Sequence, residues 1–285
     1  VGSGMVRRDS KKWVKLGGWG LGGESSDKTK DKGAGGKYLY LPPDFEGDTP
    51  TGDFVEVVKS PTYNQVIIWR SFLENGDPKP GVDLVKAHTK IYAPGEEPKT
   101  PTFVDMSGKP FNMVNPADYP FGEMLDEVIQ KEPVATLDPV TQGFFASIGI
   151  EKGKPFAPDA RMKKILTEAA VVGDATARAI AYRIRQRDDF YYEKSAWRLP
   201  FLGGYRFESH PGVMSFDGYV MYYFLATGVT PAMEEQMVGQ GSQYAWACTD
   251  ASGAPLDGGK TYRLRLPPGI PVKNFWSVIV YDNQA

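Results

Sequence analysis

Apolar residues recur at spacings of three and four from Met162 onward, with Met162, Ile165, Leu166, Ala169 and Ala170 forming one face of a helix. Asp159, directly after Pro158, stands where an N-cap belongs. Its carboxylate can accept a hydrogen bond from a free backbone N–H and favours the positive helix end. Gly173 and Asp174 interrupt the stripe, and the phase resumes loosely through Ala177, Ile180 and Ile184. The pattern therefore predicts a second helix or a kinked continuation. A shorter stripe of Phe121, Leu125, Val128 and Ile129 predicts a helix over 118–131, and a further helix is expected over 139–148. Residues 95–187 read as a helical domain.

The pattern on either side is different. Residues 37–41, 54–59 and 65–73 are short and strand-like, separated by LPPDFEGDTPTGD and SPTYN, both full of turn formers. Residues 244–249, 261–266 and 275–281 alternate likewise, the first two joined by TDASGAPLDGG. Residues 82–88 are ambiguous between a short helix and a strand. Residues 1–36 form a flexible lead-in and a loop rich in Gly, Lys and Ser, so the expected domains are 1–36, 37–94, 95–187 and 188–285.

Composition narrows the function classes. In 285 residues, 33 Lys and Arg face 35 Asp and Glu, for a net charge of −2. No whole-molecule field draws such a chain to nucleic acid. The 32 glycines and 23 prolines favour many turns and short elements over long bundles. A single cysteine, Cys248, leaves no intrachain disulfide framework, and it is expected to be a small core residue. The longest apolar run, 219–229, falls short of the roughly 20 residues that a transmembrane helix requires.

Several segments resemble a bacterial family that pairs the domains of unknown function 1254 and 1214. They are GGKYLYLPP (Gly35–Pro43), KSPTYN (Lys59–Asn64), ENGDPKP (Glu74–Pro80), GIEKGKPFAPDARMKKILTEAA (Gly149–Ala170), ATGVTPAM (Ala226–Met233) and GKTYRLRLPPGIPVKNFWSVIVYDNQ (Gly259–Gln284). The resemblance implies a mixed, mainly β fold with a central helical domain. Its N-terminal part would be an Ig-like β-sandwich (37–94) and its C-terminal part jelly-roll-like (188–285), each lacking some of the family's strands. It also implies helices over 82–88 and 216–225, and a periplasmic or extracellular location.

The chemistry in reach is limited. GAGGK (33–37) lacks the upstream glycine of a phosphate loop and carries Tyr38 where Ser or Thr belongs. His88 and His210 have no metal-ligand partner at a recognisable spacing, so no metal or cofactor is expected. Neither Ser147 nor Ser242 has the flanking glycines of a nucleophile elbow. Glu123 and Glu127, one turn apart, read as a solvated helix face. Asp188, Asp189, Glu193 and His210 are the candidates for a hydrolytic site gathered by folding, and no catalytic residue is assigned among them.

The richest candidate for binding is FYYEKSAWRLPFLGGYRFESHPG (190–212), where aromatic residues alternate with charged ones. Exposed, it would suit sugar rings or a protein partner; buried, its aromatics would be ordinary core. The candidate binding residues are Tyr192, Trp197, Tyr205 and Arg206, with Arg183 and Arg185 at the basic helix exit. That exit reads either as an anion site or as a cationic end matched to the helix dipole. The expected function is non-catalytic binding of a glycan, polymer or protein partner by an exported or surface-associated protein. The alternatives are a hydrolase acting on a glycan or ester, and a structural protein completed by another chain, including a homo-oligomer.

Overall fold

The computed structural model describes residues 36–54, 56–59, 62–64, 74–110, 114–183, 190–204, 207–226, 243–272 and 276–282. Two short strands open the described chain, β1 (Tyr38–Leu41) and β2 (Glu56–Lys59), and they pair in parallel with Leu39 opposite Val57. Leu39 and Leu41 point inward and are buried, as the period of two requires. The expected strand over 65–73 lies outside the described residues.

Helix α1 (Lys79–His88) carries Pro80 in its first turn, where the missing N–H costs nothing. Asp77 Oδ1 accepts from Lys79 N at 2.8 Å. Helix α2 spans Pro120–Lys131, a 3₁₀ turn spans Val134–Thr136, and α3 spans Pro139–Ser147. Asp138 caps α3, accepting from the N–H groups of Val140 and Thr141, each at 3.0 Å.

Helix α4 runs unbroken from Ala160 to Tyr182. Asp159 is its N-cap, accepting from Met162 N at 2.7 Å. Of the two alternatives at Gly173-Asp174, a separate second helix does not form and the helix continues. Gly173 is exposed, with nothing for a side chain to meet, so its burden is only the roughly 1 kcal/mol of helix propensity that a long helix tolerates. Asp174 stays in the helix and pairs with Arg178 one turn on, at 2.8 Å.

After α4 come two very short antiparallel strands, β3 (Glu208–His210) and β4 (Val213–Met214), then α5 (Phe216–Leu225). Ser215 caps α5 through Gly218 N at 3.3 Å. The core lies where α4 and α5 meet. Ala181, Leu202 and Met221 are buried together, with Tyr182, Phe224 and Trp246 packed round them. A second cluster joins Phe201, Phe207 and Tyr222. This core spans the boundary expected at residue 187.

The fold class expected from the sequence is overturned. The described residues hold five helices and four short strands in two two-stranded sheets, which is neither mainly β, nor a β-sandwich, nor a jelly roll. Residues 261–266 and 276–281 form no ladder, and Leu264, Leu266, Val278 and Val280 stay exposed. Over 244–249, only isolated bridges form at Trp246 and Thr249. Alternation marks a segment able to become a strand, but a strand exists only where a neighbour accepts its hydrogen bonds. Among the described residues these segments meet no such neighbour.

Candidate functional site

The aromatic segment folds into a hairpin. Phe190 bridges Arg198, and Tyr191 N donates to Trp197 O at 3.1 Å. Arg198 in turn bridges Trp246, with N–H···O bonds of 3.0 and 3.1 Å in the two directions. The tip is a tight turn, closed by Ser195 N donating to Tyr192 O at 3.1 Å. Ser195 Oγ also accepts from Trp197 N at 3.0 Å.

Arg198 fixes the base of the hairpin. It is buried, and Nη2 donates to Ala181 O at 2.8 Å, one of the last carbonyls of α4, which lack helical partners. The same nitrogen reaches Cys248 Sγ at 3.1 Å. The guanidinium lies over Trp246, 3.9 Å from the ring centroid. At that distance a desolvated cation gains from the ring face. Tyr191 Oη donates to Tyr244 O at 2.6 Å, and burial pushes its phenol above the ordinary value. Cys248, expected to be a small core residue, is half-buried against a guanidinium.

The tip differs from the base. Tyr192 is 74% exposed and Trp197 36%, beside an open cleft of about 630 Å³ lined by Phe190, Tyr192, Glu193, Lys194 and Ser195. Lys194 sits in the left-handed region with φ 64°. Phe207, farther along the same aromatic segment, does so with φ 55°.

The aromatic patch therefore divides. Phe201 and Phe207 are core, whereas Tyr192 and Trp197 are surface. Of the other expected binding residues, Arg185, Tyr205 and Arg206 lie outside the described residues. Arg183 is the exposed C-cap of α4, and among the described residues its guanidinium makes no hydrogen bond or ion pair. Of the hydrolytic candidates, Asp188 and Asp189 lie outside the described residues. Glu193 lines the cleft, and His210 is exposed on β3 with Nδ1 against Ser209 O. Glu127 pairs with Lys131 on an exposed face of α2. No group of three or more His, Cys, Asp or Glu suited to a metal ion occurs among the described residues. No helix among them is long and apolar enough to cross a membrane.

Reasoning from sequence missed a second polar node. Glu132, just past α2, is buried, and its carboxylate accepts from Tyr63 N at 2.7 Å and Asn64 N at 3.1 Å. Lys152 Nζ donates to the carbonyls of Gln130 and Glu132 at 2.6 and 2.8 Å, closing the end of α2. No local pattern in the sequence marks it, because the partners lie 20 to 69 residues apart.

Comparison with known families gives two matches. Residues 19–93 match "Protein of unknown function (DUF1254)", and residues 241–285 match "Protein of unknown function (DUF1214)". These two matches support the DUF1254/DUF1214 family for this chain. No match to a curated protein was found. Both polar nodes lie where a matched segment meets the intervening chain. The DUF1254 segment supplies Tyr63 and Asn64 to Glu132, and the DUF1214 segment supplies Tyr244, Trp246 and Cys248 to the hairpin base.

Proposed function

We propose that this protein is a non-catalytic binding protein that takes a glycan at the tip of the 190–198 hairpin. The observation that carries this is the exposed Tyr192 ring beside an open cleft, on a turn whose base is held by the buried Arg198. A rigid mount reduces the ordering that a ligand must impose on binding. Tyr192 and Trp197 offer flat apolar faces to sugar C–H groups, and Glu193 and Lys194 flank them with acceptors and donors for hydroxyls.

A hydrolytic reading has less support. General acid catalysis needs a carboxyl whose pKa is raised. Asp105, Glu127, Asp138 and Asp250 are all shifted the opposite way. The hydrogen bonds responsible come first from Ser107 N, Lys131, Thr141 and Ser252 respectively.

The test is calorimetric titration of the intact protein with a panel of soluble oligosaccharides. Binding that weakens about tenfold in Tyr192→Ala, a loss of ~1.4 kcal/mol, fits truncation of an aromatic anchor. An unchanged thermal midpoint in that variant would place the loss at the site. A panel with no binder, or a binder indifferent to Tyr192 and Trp197, overturns the proposal.

A further inference from the structure

We infer that Asn75–Gly76 is a modification site at which the chain deamidates itself through a succinimide, altering the turn that launches α1. The two residues form the centre of a tight turn, with Glu74 N donating to Asp77 O at 3.1 Å and Asp77 N to Glu74 O at 2.9 Å. Both have positive φ, 52° and 83°, the conformation that favours Asn-Gly in such turns. Both are exposed.

The chemistry needs the Gly76 backbone nitrogen to reach Asn75 Cγ. Glycine is the residue that hinders that approach least, and a Cβ built on Gly76 would meet nothing within 4 Å. Among the described residues neither the Gly76 N–H nor the Asn75 amide has a hydrogen-bond partner. The nucleophile and the electrophile are thus both uncommitted. The turn is closed by a single bridge, so little resists the rotation that brings them together.

Attack forms the N–Cγ bond and expels ammonia, which carries away the proton lost by Gly76 N. Water then opens the five-membered imide at either carbonyl. One opening gives aspartate, and the other gives isoaspartate, in which the backbone runs through the side-chain methylene. Either product places a new anion between Glu74 and Asp77. Isoaspartate also lengthens the turn, so the Glu74–Asp77 bridge is lost. Asp77 is the residue whose carboxylate receives Lys79 N at the start of α1, so the change is transmitted to that helix.

The experiment incubates the intact protein in mildly alkaline buffer, with the same chain in denaturant as the reference for an unrestrained Asn-Gly. Peptide mass spectrometry follows the 74–80 segment, and an isoaspartyl methyltransferase assay distinguishes the two products. The expected result is conversion at Asn75 in the folded protein, isoaspartate being the main product, with faster amide exchange over 79–88 afterwards. Asn75→Gln should abolish the conversion, and Asn75→Asp should add the charge without the exchange effect. A folded protein that keeps Asn75 intact while the denatured reference converts overturns the inference. So does conversion that leaves exchange over 79–88 unchanged.

Discussion

Glu132 Oε1 accepts from both the backbone N–H and the side-chain Nδ2 of Asn64, at 3.1 and 2.6 Å, across 68 residues of sequence. Its other oxygen takes Tyr63 N, so one buried carboxylate answers three donors of the SPTYN loop. Removing it takes the shared acceptor from three part-buried donors at once. Glu132→Ala is expected to lower stability by about 1.5–3 kcal/mol, the usual worth of hydrogen bonds to a charged group. Glu132→Gln keeps one acceptor oxygen and should fall in between. Urea unfolding followed by fluorescence measures both, and an unaltered midpoint in the alanine variant would show that the clamp is dispensable.

Lys194 and Phe207 share a left-handed backbone conformation but not an environment. Lys194 is exposed, so only its backbone strain is at stake. Lys194→Gly should relieve that strain, less the entropy that glycine adds to the unfolded chain, for a net gain of about 0.5–1 kcal/mol. Phe207 is buried, its ring 5.5 Å from those of Tyr219 and Tyr222. Phe207→Gly therefore gives up a core ring and should cost about 3–5 kcal/mol despite the same relief. Thermal unfolding of the two variants should shift in opposite directions. A shift of the same sign in both would mean that strain or packing has been misassigned.

Gly218 marks the closest approach in the core. A Cβ there would lie 2.3 Å from Leu202 O and 2.7 Å from Leu202 Cβ, and the first of these is backbone that cannot swing aside. Gly218→Ala would favour the helix locally, yet it must push α5 off the 201–204 turn. Overpacking of this kind costs roughly 1–3 kcal/mol, more than the ~1 kcal/mol that helix propensity returns. Calorimetric unfolding decides the sign, and a stabilised variant would refute the close packing.

Local signals were legible and long-range pairing was not. Asp159 announced the start of α4 because an N-cap and its helix are neighbours in sequence. The helices over 120–131, 139–147 and 216–225 appeared close to where they were expected, two from periodicity and position and the last from the family resemblance. Strands depend on a partner elsewhere in the chain, and the alternation at 261–266 carries no information on whether one is present. The same reason hid Glu132 and Arg198, whose roles come from Asn64 and Ala181, far away in sequence. Tyr192 was legible as an aromatic but not as an exposed one, because exposure depends on how the hairpin sits.

Several tyrosines should report on the core at alkaline pH. Burial raises Tyr40 and Tyr223 from the ordinary phenol value of 10.0 to about 12, and it pushes Tyr222 higher still. In the unfolded chain all three would ionise near the ordinary value. Above that pH the unfolded state has lost protons that the folded state still holds, so stability falls as pH rises. Their contribution is intact below pH 10 and is lost progressively toward 12, the window set by the ordinary and shifted values. An alkaline titration read by tyrosinate absorbance should show a first class ionising freely and a second class appearing only as the fold is lost. Circular dichroism recorded in parallel should collapse with the second class. If all tyrosines ionise in one step while the helical signal persists, the rings of Tyr222 and Tyr223 are not sealed from water.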